Sequence, residues 1–385
     1  MPENAANPSR LFFIDNIRWL MIVFVVTIHA AVTYSSLGRW YYTEPAKLDI
    51  ASLAFFGIYQ SFTQAYSMGL LFLIAGYFVP RSFDRKDFGK FLRDRAVRLG
   101  IPTLIYMLFI NEAIVYYIMA FRWETPRPPI GKYFLNYMLS LDFLSGSGPM
   151  WFAFALLIFS TIYAIARLLL RGPEKPQQDE SLPGHLAVVE LGLLISACAF
   201  SIRLVQPIGT SIMNMQLGYF SQYIILFVIG IIAYRKNWLV RIPYSFGMIW
   251  FKAALIGGSI FWIAIQILGG GLSGNFSKYA GGLCWQSAAY ALWESFFGVG
   301  VCLGLLVLFR ERFNTQGKFA KFMSDNCFSV YVFHPLILIP VTLALRELAW
   351  YPLIKFAIAI VISVPLCFLV GHLVLRRIPL LKRIL

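Results

Sequence analysis

"FFIDNIRWLMIVFVVTIHAAV", residues 12–32, has the length and apolarity of a bilayer span, yet it holds an aspartate, an arginine and a histidine. About 20 mostly apolar residues in a row read as a transmembrane helix. The run is longer than a signal-peptide core, carries charges and has no small-residue cleavage site behind it, so it reads as a retained first helix. A charge at the bilayer centre costs at least ~2.5 kcal/mol on insertion scales, so these groups should face a bundle interior or a water-filled cavity. Their spacing permits that. At about 100° per residue, Arg18 lies about 300° and His29 about 320° round from Asp15, which puts all three on one face. Asp15 and Arg18 then sit at one mouth of the span, and His29 lies about 21 Å deeper.

The composition extends this solvent to the whole chain: of 385 residues, 59% are hydrophobic and 13% charged, far from a soluble protein. Apolar runs of spanning length recur at 11–34, 50–80, 99–120, 133–170, 186–204, 215–234, 246–268, 284–309, 324–345 and 351–375. The expected fold is all-α: a polytopic integral membrane protein of about ten transmembrane helices. The second and fourth runs exceed a span, and "SGSGPMW" (145–151) marks a break before the fourth span proper. A single membrane domain covers 1–385. It comprises front helices in 11–170, a polar cytoplasmic linker "RGPEKPQQDESLPG" at 171–184, back helices in 185–375 and a basic tail at 376–385. The two halves show no repeat and no paired broken helices, which counts against a secondary transporter. Cys198, Cys284, Cys302, Cys327 and Cys367 lie in apolar segments without metal-ligand spacing, so neither a disulfide framework nor a metal site is expected.

Lysine and arginine in short loops accumulate on the cytoplasmic side. With the N-terminus inside, the alternate segments that become cytoplasmic hold 22 of the 33 basic residues, the opposite loops 9, with Arg203 and Lys355, at the ends of their runs, among them, and Arg18 and Lys252 fall within spans. Both termini are therefore expected in the cytoplasm. The formal net charge of +15 is explained by an anionic inner leaflet and calls for no nucleic-acid partner.

Several residues carry candidate chemistry. A mid-membrane imidazole such as His29 is an available proton acceptor and donor, or else a satisfied core histidine. Asp15 and Arg18 form an i, i+3 pair that is either structural or functional. In "FLRDRAVRLGIPTL" (91–104), Arg93, Arg95 and Arg98 can grip phosphates bidentately or serve as positive-inside anchors. Glu294 and the Asn111–Glu112 pair are intramembrane polar groups that could act in chemistry or in interhelical hydrogen bonding. His334 precedes Pro335, where an imidazole can satisfy carbonyls freed by the break. Trp151, Trp285 and Trp293 are either channel-lining or interfacial. His185 and His372 carry no assigned role.

Asp15-x-x-Arg18 followed by His29, then "LLFLIAGYF" (70–78), Arg95-x-x-Arg98, "GPMWF" (148–152) and "SVYVFHP" (329–335) together resemble the membrane acyltransferase family 3, over almost the whole chain. The stretches "VYVFHP" and "LWESFFGVG" (292–300) are most similar to a branch associated with acylating periplasmic glucans. One departure is visible: the family's second helix usually reads Ser-Gly-Phe, and here it is Ala75-Gly76-Tyr77, so no role for that serine carries over.

The resemblance implies a multi-pass protein of the bacterial inner membrane. Cytosolic acyl-CoA would dock its phosphates on Arg93, Arg95 and Arg98, and a periplasmic or surface glycan would offer a hydroxyl. His29 would act as general base or brief acyl carrier, with Asp15, Arg18, Glu294 and His334 as further candidate catalytic groups. The donor would be a substrate, with no permanently bound cofactor and no metal. A proton-coupled transporter or flippase is the rival class, since it too would bury histidine and carboxylates. A scaffold or receptor would leave the basic mouth and the buried histidine without purpose.

Overall fold

A computed structural model describes residues 10–44, 48–121, 127–170, 178–271, 274 and 276–377. Residues 171–177 of the linker, 378–385 of the tail and the loop 122–126 lie outside them. Among the described residues the chain is helical, without a named strand. Among those described residues nine helices are long and apolar enough to cross a membrane, and one bent pair makes up to ten.

Helix α1 (Phe12–Ser35) ends where Ser36 adopts φ 56° and its N–H returns to Val32 O. Helix α2 (Ile50–Asp84) starts on Asp49, whose carboxylate accepts from Ser52 N, and α3 (Phe88–Met119) starts on Asp87 in the same way with Lys90. These are N-caps that satisfy otherwise orphaned amides. Contacts from Thr27 to Tyr59 and from Arg18 to the Phe78 ring run α1 and α2 antiparallel.

The basic segment 91–98 belongs to α3 itself, since the span begins at Phe88 rather than at residue 99. Two π-helical turns, Ala96–Gly100 and Tyr106–Ile110, interrupt α3. Pro102, just after the first, has no N–H for the carbonyl four residues back, and a widened turn relieves the clash its ring would make.

The run 133–170 divides. A short helix α4 (Ile130–Leu139) and a 3₁₀ turn precede the spanning helix α5 (Gly148–Leu170), whose first residues, Gly148–Met150, form a second 3₁₀ turn, with the break at 145–151 expected from its glycines. Five further helices follow: α6 (His185–Arg203), α7 (Leu217–Arg235), α8 (Tyr244–Gly269), α9 (Trp285–Arg312) and α10 (Lys318–Phe333). Then α11 (Pro335–Ala344) leaves α10 at 70°, and α12 (Pro352–Leu373) closes the bundle.

The centre is built by α1, α2 and α9, the most enclosed spans. Helix α2 lies against α7 so closely that a Cβ on Gly76 would strike Phe227 O and one on Gly230 would strike Leu73 O. Small residues permit such backbone approach in membranes, so Gly76 of the departing motif is fixed by packing. Because α2 packs on α7, front and back helices interleave rather than form two groups. The outer helices present Leu193, Leu194, Ile256, Ile260 and Ile267 outward, as lipid demands.

The described part of the linker is not free in solvent. Gln178 N donates to Arg235 O at 2.9 Å, Glu180 pairs with Lys236 at 2.8 Å, and Asn237 Nδ2 donates to Asp179 at 2.8 Å. Its acids meet the cations that follow α7.

Candidate active site

His29 lies on α1 about two-thirds of the way along the helix, on the face turned to the break between α10 and α11. That break carries His334, which closes α10 by its own N–H to Val330 O and caps α11 through its carbonyl to Leu338 N. Pro335 cannot continue the α10 ladder, and the resulting corner aims the His334 ring inward, fully buried. His29 Nδ1 and His334 Nε2 are 3.0 Å apart, and His334 Nδ1 is 2.9 Å from Tyr331 O.

A carbonyl oxygen can only accept, so the tautomers of the two neutral rings follow. His334 Nδ1–H donates to Tyr331 O, and its Nε2 accepts from His29 Nδ1–H. In this pattern His29 Nε2 keeps its lone pair, and the ring also makes a backbone contact with Val25.

His29 lines a cavity of about 810 Å³. Its walls come from the C-terminal end of α1, the first turns of α2, and the segments around 145–151, 208–223 and 262–290. Trp40, Trp151, Trp262, Tyr219 and Phe220 supply aromatic faces, and Gln60, Gln64, Asn111, Asn214, Gln216 and Gln266 supply amides. Arg39 is the one charged side chain on that lining among the described residues.

A second cavity, of about 880 Å³, lies at the other end of α2 and is lined by Ser82, Lys86, Lys90, Arg93, Arg95 and Arg98, with Asp87 and Asp94. Asp94 is taken by Lys86 and Asp87 caps α3. Among the described residues Arg93, Arg95 and Arg98 form no ion pair. Three unspent guanidinium groups around a cavity make a site for an anion such as phosphate. Arg95, half-buried over the Phe91 ring at 5.1 Å, is the best anchored, whereas Arg93 and Arg98 are exposed.

The other candidates separate. Asp15 bridges Arg10 at 2.6 Å and Arg18 at 3.4 Å, and Arg18 also covers the Phe78 ring; the trio sits at the cytoplasm-expected mouth of α1, away from the His29 cavity lining. Glu294 faces Arg203, with both side chains sealed from solvent. Arg203 Nε donates to Gly218 O at 3.0 Å, and its guanidinium lies over the rings of Tyr219 and Tyr290. Arg203, expected in an outer loop, is thus a buried partner. Lys355, also expected there, is buried against Glu44 at 2.8 Å.

Asn111 accepts from Tyr41 OH at 2.7 Å and donates to Glu112 at 3.1 Å, and Tyr133 OH closes on the same carboxylate. Trp151 lines the cavity, whereas Trp285 is exposed and Trp293 is buried, donating to Gly258 O at 2.9 Å. The five cysteines are free thiols. Among the described residues no group of three or more His, Cys, Asp or Glu is placed to hold a metal ion. Sequence reasoning missed Trp40, whose indole lies flat on His29; just past a span, it carries no local signal that separates it from an interfacial anchor.

The family model described as acyltransferase domain matches residues 11–372. The chain is similar to the glucans biosynthesis protein C of Salmonella gallinarum, 22% identical over 343 residues, which cover 86% of this chain and 83% of that one. It is also similar to the proteins of that name from Escherichia coli K12, 25% identical over 242 residues and 60% of each chain, and from Shigella dysenteriae, 25% over 244 residues and again 60% of each. No solved structure matches the chain.

Proposed function

The chain belongs to this acyltransferase family, and on that premise we propose that it moves an acetyl- or succinyl-type group from cytosolic acyl-CoA across the bacterial inner membrane. The acceptor is a hydroxyl of a periplasmic or surface glycan, in keeping with the glucan named in its relatives. Both termini are cytoplasmic in this reading. The split of basic residues between the two sets of loops, 22 against 9, supports that placing.

The observation that carries the reading is the lone pair on Nε2 of His29, held in one tautomer by His334 and turned to a cavity of aromatic faces and amides. Sugars present apolar ring faces and many hydroxyls, which that lining matches without charge. The basic cavity at the far end of α2 suits the phosphates of CoA. With the thioester beside His29, Nε2 takes the acceptor's hydroxyl proton as the oxygen attacks the thioester carbon. The C–S bond then breaks, and the leaving thiolate takes the proton from the imidazolium. His334 turns His29 Nδ1–H toward it and shares the positive charge that forms, so it acts through His29 rather than on the substrate. A thioester is already activated, so positioning and one base suffice.

Mass analysis of envelope glycans from cells with the protein, without it, and with His29→Ala in its place tests this. Acyl substituents should be present in the first alone. Identical glycans in all three would refute the proposal.

A further inference from the structure

The reaction as proposed gives Trp40 no part in the proton transfer, although its indole lies flat on the base. Trp40 lies in the segment after α1, where Ser36 at φ 56° and Gly38 at φ 119° turn the chain back over the helix end. Its ring is 3.9 Å from that of His29, centroid to centroid, with the planes 13° apart; it is 5.9 Å and 9° from His334. The two imidazoles lie 9° from parallel with centroids 5.1 Å apart, joined through a 3.0 Å hydrogen bond. That spacing is an edge-to-edge pair in nearly one plane, and the indole roofs it.

The roof is tied down. Glu44 N donates to Thr33 O at 2.8 Å, Ser36 Oγ donates to Glu44 O at 3.0 Å, and Glu44 pairs with Lys355. Next door, Tyr41 is held by Asn111 and sets its ring against the indole at 72°. The indole Nε1 is buried without a hydrogen-bond partner, so the ring's seat is decided by its face rather than by its polar edge.

We propose that Trp40 is a positioning residue for His29: its π face fixes the plane of the imidazole and stabilises the imidazolium formed when Nε2 accepts a proton. A cation over an indole face is attracted by the ring quadrupole, most strongly when both are desolvated, and indole is the best of the aromatic side chains at it. Because the neutral imidazole gains much less, the stabilisation falls selectively on the charged state and lowers the barrier rather than tightening substrate binding. The roof also closes one face of the base, leaving the in-plane Nε2 approach open to the hydroxyl.

The inference rests on the role of His29 proposed above, and its test separates the two. Full-length protein in detergent-opened membranes, where both faces are accessible, is given radiolabelled acetyl-CoA or succinyl-CoA and a neutral glucan oligosaccharide. The forms compared are wild type, Trp40→Phe, Trp40→Tyr, Trp40→Leu, His29→Ala and the Trp40→Leu, His29→Ala double variant. Trp40→Leu should lower kcat about 10-fold and Trp40→Phe about 3-fold, with both KM values within about twofold of wild type. On the His29→Ala background, Trp40→Leu should cost nothing further. Should Trp40→Leu fail to accumulate, the order Trp, then Tyr, then Phe in kcat carries the same test. Equal kcat across the ring series, or an equal loss from Trp40→Leu with and without His29, would overturn the proposal. A His29→Ala variant as active as wild type would instead remove the base itself, and absence of transfer by the wild type with both donors would remove the function.

Discussion

Two polar pairs inside the bundle lie near the same cavity, and they are built on opposite terms. His29 and His334 are both neutral in the hydrogen-bond pattern that joins them, and one nitrogen of the pair is left open to the cavity. Arg203 and Glu294 are held against each other, closed off by Tyr219 and Tyr290, and neither lines the cavity. The first pair can change protonation at little structural cost. The second would strand an uncompensated buried charge if either partner changed state. An ionisable group inside a membrane protein marks function by default, but the two pairs divide that default: the open neutral pair is the one the proposed chemistry uses, and the sealed ion pair shapes the wall on which Tyr219 and Tyr290 stand.

The largest expected difference between the pairs lies in how each fails. His29→Ala should cut acyl transfer about 10²–10⁴-fold, the worth of a general base, with the unfolding midpoint in detergent close to wild type. Glu294→Ala should instead lose about 3–5 kcal/mol of stability by leaving Arg203 unpaired, while turnover per folded molecule stays within a few-fold. Abolished transfer by Glu294→Ala at full stability would erase the distinction.

Next in size is His334→Ala, which leaves His29 Nδ1–H without its acceptor. That loss is worth about 1–3 kcal/mol, or roughly 5- to 150-fold in kcat. His334→Gln, whose side-chain oxygen can accept in place of Nε2, should recover part of it, and failure of any recovery alongside intact folding would argue that His334 does more than orient.

The distant basic cavity should act on donor KM alone, and its exposed arginines hold the smallest effects of the set. Arg95→Ala, half-buried and unpaired, should weaken acyl-CoA binding by about 1.5–3 kcal/mol, and the exposed Arg93 and Arg98 by no more than about 1 kcal/mol each, as solvent screens them. Titration of a non-hydrolysable acyl-CoA analogue measures this. Unchanged affinity in Arg95→Ala would return the cluster to a topological role.

The spans were legible because hydropathy over 20 residues is a property of the segment alone. His29 was legible for the same reason, as an ionisable group deep within one span. Its partner was not, because His334 is 305 residues away and only the Pro335 corner brings it in. Arg203 read as a loop cation because it ends an apolar run, and burial at a helix end depends on what packs there. Trp40 was invisible for a related reason: a tryptophan just beyond a span ordinarily anchors at the interface, and nothing local tells that the chain folds it back onto the helix it has just left. The glycines of 145–148 did announce a break, since backbone constraints are written locally, whereas the π turns on either side of Pro102 were not read from the sequence.

Transfer between opposite faces is the central claim, and sealed membrane vesicles test it most directly. A neutral glucan oligosaccharide is trapped inside inside-out vesicles carrying the protein, and radiolabelled acetyl-CoA or succinyl-CoA is added outside, where the Arg95 cavity is expected to open. The account predicts label on the trapped glycan with wild type, none with His29→Ala, and none in right-side-out vesicles given the donor outside. Label on glycan only when donor and acceptor share one side would contradict it.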